Sequence, residues 1–226
     1  MNAVVVIGIG RDQVLDLSMQ TLERYCKKYS LTLEVIREAK YSYENQPHYH
    51  YINFEKNQIY DLLGKYDRIL RLDSDILITA SCPNVFEEFP EDCFIAVPED
   101  VGDRKTDRIR QMGLAQEELG VIPWDRYFNS GVILAHKEHK EAFNIQEYDL
   151  YDYYLGDYKE QTLLNWRVAG LQYKTHWASY KYNHLSMFPD SVRDSYIIHY
   201  AGPQAGKSDK MKNDLKWIIA EWGNNQ

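Results

Sequence analysis

Cysteine is scarce. The chain has three, Cys26, Cys82 and Cys93, an odd number with no C-x-x-C pair. That excludes a disulfide framework and a zinc ribbon, and a reducing, cytoplasmic setting is expected. Long apolar runs are missing too. Nothing approaches the roughly 18 residues that a membrane span needs, and the start Met1-Asn2-Ala3-Val4 carries no basic leader pattern. Basic residues are in deficit, with 26 Lys and Arg against 34 Asp and Glu and a formal charge of −8. A surface of that sign argues against broad nucleic-acid binding. A completed glycine fingerprint is also absent: Gly8-Ile9-Gly10 follows an apolar run, but Gln13 stands where the third glycine belongs.

What is present is an apolar stretch that delivers two carboxylates and then resumes: Arg68-Ile69-Leu70-Arg71-Leu72-Asp73-Ser74-Asp75-Ile76-Leu77-Ile78. Residues two apart on a strand share a face, so Asp73 and Asp75 are expected to present oxygens to one site at a strand end. With 34 acidic residues a D-x-D triplet arises readily by chance, usually as a solvated turn. The apolar flanks shift the balance, because carboxylates in a buried run are paired or metal-bound. Adjacent carboxylates repel unless a cation separates them. Oxygen ligands suit Mg2+ or Mn2+, ions that commonly bridge to substrate phosphates.

At 226 residues, with 44% hydrophobic content, the chain is read as one α/β domain over 1–226. The 19 tyrosines serve cores and interfaces as well as ligand stacking and select no function. Residues 3–8 read as a buried strand, 12–29 as a helix and 31–37 as a second strand, the start of a parallel sheet with outer helices. Gly8 and Gly10 sit where backbone can approach a ligand. Residues 41–51, with His48 and His50, read as a polar loop. Residues 53–63 read as a helix capped by Gly64, and 94–97 as a strand. Residues 101–124 form a charged excursion, either a lid or an ordinary surface insertion.

Three further blocks stand out. Tyr127-Phe128-Asn129-Ser130-Gly131-Val132 puts a polar corner before an apolar strand, with Asn129 offering donor and acceptor. Glu160-Gln161-Thr162-Leu163-Leu164-Asn165 opens a helix whose first turn can face a site. Tyr196-Ile197-Ile198-His199-Tyr200-Ala201-Gly202 is a strand-to-turn block. A lone histidine there is more often structural, but two aspartates need a third ligand, and imidazole suits Mn2+. Lys207 is near enough to reach a phosphate. Residues 211–222 read as an amphipathic C-terminal helix.

In this order the blocks resemble the retaining GT-A-fold glycosyltransferases of family 8 and their small viral and bacterial relatives, the group that includes glycogenin and bacterial lipopolysaccharide galactosyltransferases. The resemblance runs from the first strand to about Lys207. It implies a mixed, mostly parallel sheet and sugar transfer from a nucleoside-diphosphate sugar, expected to be UDP-linked, to an acceptor hydroxyl with retention. It places Asp73, Asp75 and His199 on Mn2+, Asp73 also near the ribose, and Lys207 on phosphate. Lys56 falls near the family's donor-gripping basic residue. Asn129, Glu160 and Gln161 would surround the sugar, and Glu99 or Asp100 would add a sugar-binding acid. Three departures are visible. Glu160 replaces the usual Asp, Gly206-Lys207-Ser208-Asp209 replaces a closer Lys-Pro-Trp, and the first strand lacks the usual nucleobase contacts. The rivals are a haloacid-dehalogenase-type phosphohydrolase, a sugar nucleotidyltransferase and a non-catalytic sugar-nucleotide-binding module. The first expects its motif near the N-terminus, the second a longer basic glycine loop, and the third no intact acidic–histidine set.

Overall fold

A computed structural model describes residues 1–10, 12–41, 51–145, 155–188 and 190–224. The first strand β1 (Asn2–Ile7), helix α1 (Asp12–Tyr29) and strand β2 (Thr32–Ile36) form the expected β-α-β unit. A 3-10 helix (Tyr51–Gln58), the short α2 (Ile59–Leu62), β3 (Arg68–Leu72) and β4 (Ile76–Ile78) follow. Next come α3 (Val85–Glu88), β5 (Phe94–Pro98), α4 (Lys105–Leu119) and β6 (Phe128–His136). The remainder is α5 (Lys159–Gly170), β7 (Thr175–Trp177), β8 (His184–Leu185), β9 (Ile197–His199) and α6 (Lys207–Asn224).

Six strands form the main sheet in the order β2-β1-β3-β6-β5-β7. The β1–β2, β1–β3 and β5–β7 pairs are parallel, and β6 runs antiparallel to both β3 and β5. The sheet is therefore mixed and mostly parallel, as expected. A smaller sheet, β4-β9-β8, stands beside it.

Alternation along the strands separates two apolar layers. Val4, Val6, Leu70 and Leu72 pack toward α1 and α6 with Leu15, Leu22, Met211 and Trp222. Ala3, Val5 and Ile69 face the other side, with Ile59 of α2 and Leu164 and Val168 of α5. A third cluster joins Met112 and Ala115 of α4 to Leu163 of α5 and Phe54. The 101–124 excursion is thus anchored by a helix docked on α5.

Two local expectations change. Residues 53–63 are mostly 3-10 helix with one α turn, and Gly64 does not take the left-handed conformation of a glycine cap. The 8-residue 3-10 helix keeps Lys56 and Asn57 buried under the site rather than on an outer face. His48 and His50 lie outside the described residues. Among the described residues no helix is long and apolar enough to cross a membrane.

Candidate active site

Asp73 and Asp75 do not share the face of one strand. The chain bends at Ser74, where it leaves the main sheet for the smaller one, and the two carboxylates converge across that bend. Asp73 N–H still donates to Gly131 O of β6 at 2.9 Å. The bend is held from α1. Ser18 Oγ donates to Ser74 O at 2.6 Å and accepts from Ile76 N at 3.2 Å. Thr21 Oγ1 accepts from Ile78 N at 3.1 Å. Antiparallel pairing of β4 with β9 sets Ile76 opposite His199, and Tyr200 N–H donates to Asp75 O at 2.9 Å. This register brings the imidazole to the carboxylates.

One oxygen each from Asp73 and Asp75 and one nitrogen from His199 lie within 4.8 Å of one another. His199 Nε2 is 3.3 Å from Asp75 Oδ1 and 3.6 Å from Asp73 Oδ2. The ring lies directly over Gly131, where a Cβ would come within 2.1 Å of His199 Cε1. The glycine of the Asn-Ser-Gly corner therefore serves the imidazole. Asp75 Oδ1 is buried and receives no hydrogen bond. A buried acceptor oxygen facing a ring nitrogen, with a second carboxylate alongside, fits a hard divalent cation with mixed O and N ligands.

Cations ring the pair. Lys56 Nζ is 2.9 Å from Asp73 Oδ1 and 3.0 Å from Oδ2, and 3.4 Å from Glu160 Oε2. Lys207 Nζ, at the first turn of α6, is 2.8 Å from Asp75 Oδ2. Arg71, wholly buried, donates to Ser130 O and sits 3.7 Å from Asp73 Oδ1. Burial pushes the Asp73 carboxyl upward, but Lys56, His199 and Arg71 outweigh it and hold the group below the usual range. Burial likewise opposes ionisation of Asp75, and His199 and Lys207 reverse the sign.

Lys56, Asp73, Asp75 and His199 line a cleft of about 430 Å³. On its far wall Gln161 is locked: its Oε1 accepts from Ser130 N at 3.0 Å and its Nε2 donates to Glu99 Oε2 at 2.7 Å. Glu99 also receives Arg104 and, at 2.9 Å, Arg108 Nη2. Glu160 Oε2 accepts from Ser130 Oγ at 2.8 Å, while its buried Oε1 has no partner. Asn129 and Glu160 both line the cleft.

Four positions do not line this cleft, and one of them, Lys207, meets it only through Asp75 Oδ2 at 2.8 Å. Asp100 is ion-paired with Arg126 at 2.9 Å and faces away from it, so Glu99 is the acid that lines the wall. Gly8 is small for packing, since a Cβ there would lie 2.5 Å from Leu15 Cδ2 and 3.1 Å from Val35 Cγ1. Gly10 takes a left-handed turn with φ of 66° and does not line the cleft either; a narrow side pocket by Lys56 and Asp73 is closed by Ile7 and Ile9 instead.

Sequence reasoning missed Ser18, Arg71, Arg104 and Asn183. Arg71 carried a signal, a charge inside an apolar strand. Asn183, whose Oδ1 lies 2.9 Å from His199 Nδ1, carried none, because its register only exists once β8 and β9 pair.

The family model described as glycosyl transferase family 8 matches residues 3–205. No curated protein matches the sequence. Among solved structures, a glycosyltransferase involved in glycosylation of the major capsid of PBCV-1 is similar at a TM-score of 0.63 and 14% identity, with 96% of this chain and 99% of that one covered. The galactosyltransferase LgtC, solved with donor and acceptor sugar analogues, gives 0.58 and 15%, with both chains covered in full. Mouse xyloside xylosyltransferase 1 gives 0.51 and 12%, with 91% of this chain and 100% of that one covered. The family match extends from the first strand to just short of α6, and the chain belongs to glycosyl transferase family 8, as a glycosyltransferase with the GT-A fold.

Proposed function

We propose that this glycosyltransferase moves a sugar from a nucleoside-diphosphate donor, UDP-linked, to an acceptor hydroxyl, depends on Mn2+ or Mg2+, and retains the anomeric configuration. The observation that carries the reading is the convergence of Asp73, Asp75 and His199 between Lys56 and Lys207. Three anionic or lone-pair groups select a cation, and two lysines beside them select the anion that cation would carry.

A bound divalent ion supplies Lewis-acid charge neutralisation at the diphosphate, worth several kcal/mol in such sites. Lys56 and Lys207, now paired with the carboxylates, are placed to share that charge with the leaving group. Fixed donors in a dry cleft stabilise developing charge without reorganising at the moment of reaction. Glu160 Oε1, buried and unpartnered, is set to accept a sugar hydroxyl. Gln161 has no free nucleophilic atom, since both ends of its amide are bonded. This favours a front-face path over attack by Gln161; a double displacement would fall to the Glu160 carboxylate. The acceptor oxygen bonds to the anomeric carbon as the bond from that carbon to the diphosphate oxygen breaks. The electron pair leaves with the diphosphate, and a diphosphate oxygen takes the acceptor proton.

The test is thermal stabilisation by UDP and by GDP, each with Mn2+ and with EDTA. A ligand at 100 times its Kd stabilises by about 2.7 kcal/mol. A rise in Tm with UDP and Mn2+ that EDTA removes supports the reading. Equal rises with and without metal would refute the metal-dependent donor site.

A further inference from the structure

The hydrogen bonds behind His199 determine which ring nitrogen carries the proton. They start from a donor that cannot reverse: Gly131 N–H gives to Asn129 Oδ1 at 2.8 Å. That identifies the oxygen end of the Asn129 amide. Its nitrogen end then faces two acceptors, Glu99 Oε2 at 3.4 Å and Gln161 Oε1 at 3.2 Å. The Gln161 oxygen is fixed in the same way, by Ser130 N–H at 3.0 Å. Asn183 meets Asn129 Oδ1 at 2.9 Å. Two carbonyl oxygens do not face each other at that distance, so the Asn183 amide nitrogen lies there. Its oxygen is therefore the atom 2.9 Å from His199 Nδ1, and Nδ1 must supply the hydrogen. In the neutral ring the lone pair falls on Nε2, the atom 3.3 Å from the undonated Asp75 Oδ1.

We propose that Asn183 is a positioning residue that selects the Nδ1–H tautomer of His199 and thereby presents Nε2 as a metal ligand. The proposal rests on the reading of Asp73, Asp75 and His199 as a metal site. The partner of the far nitrogen sets which imidazole nitrogen is free to ligate. Asn183 and His199 are both buried, with 3% and 2% exposure, so the amide rather than solvent makes that choice. The same chain joins the ligand to Asn129, Gln161 and Glu99 on the sugar wall, so the metal end and the sugar end of the cleft share one fixed network.

The experiment uses full-length protein with 15N-labelled histidine. Long-range 1H–15N correlations read which His199 nitrogen carries the proton in the absence of metal. A parallel titration follows free Mn2+ by electron paramagnetic resonance. Wild type is expected to hold the proton on Nδ1. In Asn183→Leu the proton moves to Nε2, where Asp75 accepts it, and Mn2+ affinity falls about 10–100-fold. Asn183→Asp keeps an acceptor for Nδ1–H but sets an oxygen against Asn129 Oδ1. It is expected to lower Tm and still hold the Nδ1–H tautomer, a split that a merely structural role does not produce. Wild-type protein with its proton on Nε2 overturns the proposal, even if the leucine variant does not fold. So does a leucine variant with unchanged tautomer and unchanged Mn2+ affinity. An Nδ1–H ring in wild-type protein that binds no Mn2+ overturns instead the metal reading on which the proposal rests.

Discussion

Arg68 and Arg71 are three residues apart on β3, on opposite faces of the sheet, and both are buried. At the far end Arg68 is met by neutral carbonyls: Phe86 O at 2.7 Å, Pro90 O at 3.1 Å and Phe89 O at 3.3 Å. At the cleft end Arg71 has one carbonyl, Ser130 O, and otherwise faces charge. Asp73 is 3.7 Å away, and two of its guanidinium nitrogens have no hydrogen-bond partner. Burial lowers the pKa of both arginines; Glu91 opposes that shift at Arg68, and Glu160 and Asp73 oppose it at Arg71. One strand thus carries the same residue type in two settings. The far arginine spends its donors on main-chain dipoles and secures the fold. The near one backs a cluster of carboxylates and secures their charge.

The largest contrast is expected between aspartates at the two ends. Asp75→Ala should lower turnover on the order of 10³-fold, the equivalent of several kcal/mol of lost charge stabilisation, with the fold retained by circular dichroism. Asp67 at the far end pairs on the surface with the N-terminus and Lys137, and Asp67→Ala should leave turnover unchanged. Steady-state rates of the two variants side by side decide it. Wild-type rates in Asp75→Ala would remove that residue from the mechanism.

The arginines themselves come next. Arg71→Met should destabilise by about 3 kcal/mol, because it strips a buried countercharge from Asp73 and Glu160, and the protein that remains folded should turn over poorly. Arg68→Met should cost about 1–3 kcal/mol through stranded carbonyls, yet keep its rate per folded molecule. Denaturant melts paired with active-site titration separate the two effects. Equal activity losses in both variants would mean that the two arginines do not differ in role.

Two glycines sharpen it further. Gly131→Ala forces the His199 ring away, so stabilisation by Mn2+ with UDP should disappear. Gly8→Ala meets Leu15 and Val35 and should cost about 1–3 kcal/mol of overpacking, with KM for donor unchanged. A Gly131→Ala protein that still responds to Mn2+ would show that the ring need not lie where it does.

The smallest effect concerns acid. His139, near Arg68, accepts from His136 N at 3.0 Å through Nδ1. Burial, then His136 and Arg68, push its pKa down to about 4 from 6.5. A folded value below the unfolded one means that the unfolded chain binds the proton more readily. Stability is therefore full above about pH 6.5 and declines as pH falls toward 4. Tm should drop by a few degrees across that window, and His139→Gln should flatten its share of the drop.

The β-α-β start, the mixed sheet and the D-x-D, Asn-Ser-Gly and histidine blocks were legible in the sequence, because each is a local pattern with a chemical reason. Lys207 was legible from proximity alone, and the first turn of α6 carries it to Asp75. The bend at Ser74 was not, since it depends on Ser18 and Thr21 of a helix more than 50 residues earlier. A glycine after a strand has the same local signature whether a ligand or a leucine approaches it, and at Gly8 the packing of Leu15 and Val35 is visible only in the structure. Glu99 and Asp100 could not be separated by sequence because they are adjacent, and only the positions of Arg108 and Arg126 direct one inward and the other away.

In the proposed reading the cleft end of β3 holds a divalent cation on the donor diphosphate. The most direct test of that reading is a crystal grown with UDP and Mn2+ and measured at the manganese absorption edge. The account predicts one anomalous peak bonded to Asp73, Asp75 and His199 Nε2, with the diphosphate between it and Lys207. UDP bound in the cleft with no manganese at those three residues would contradict it.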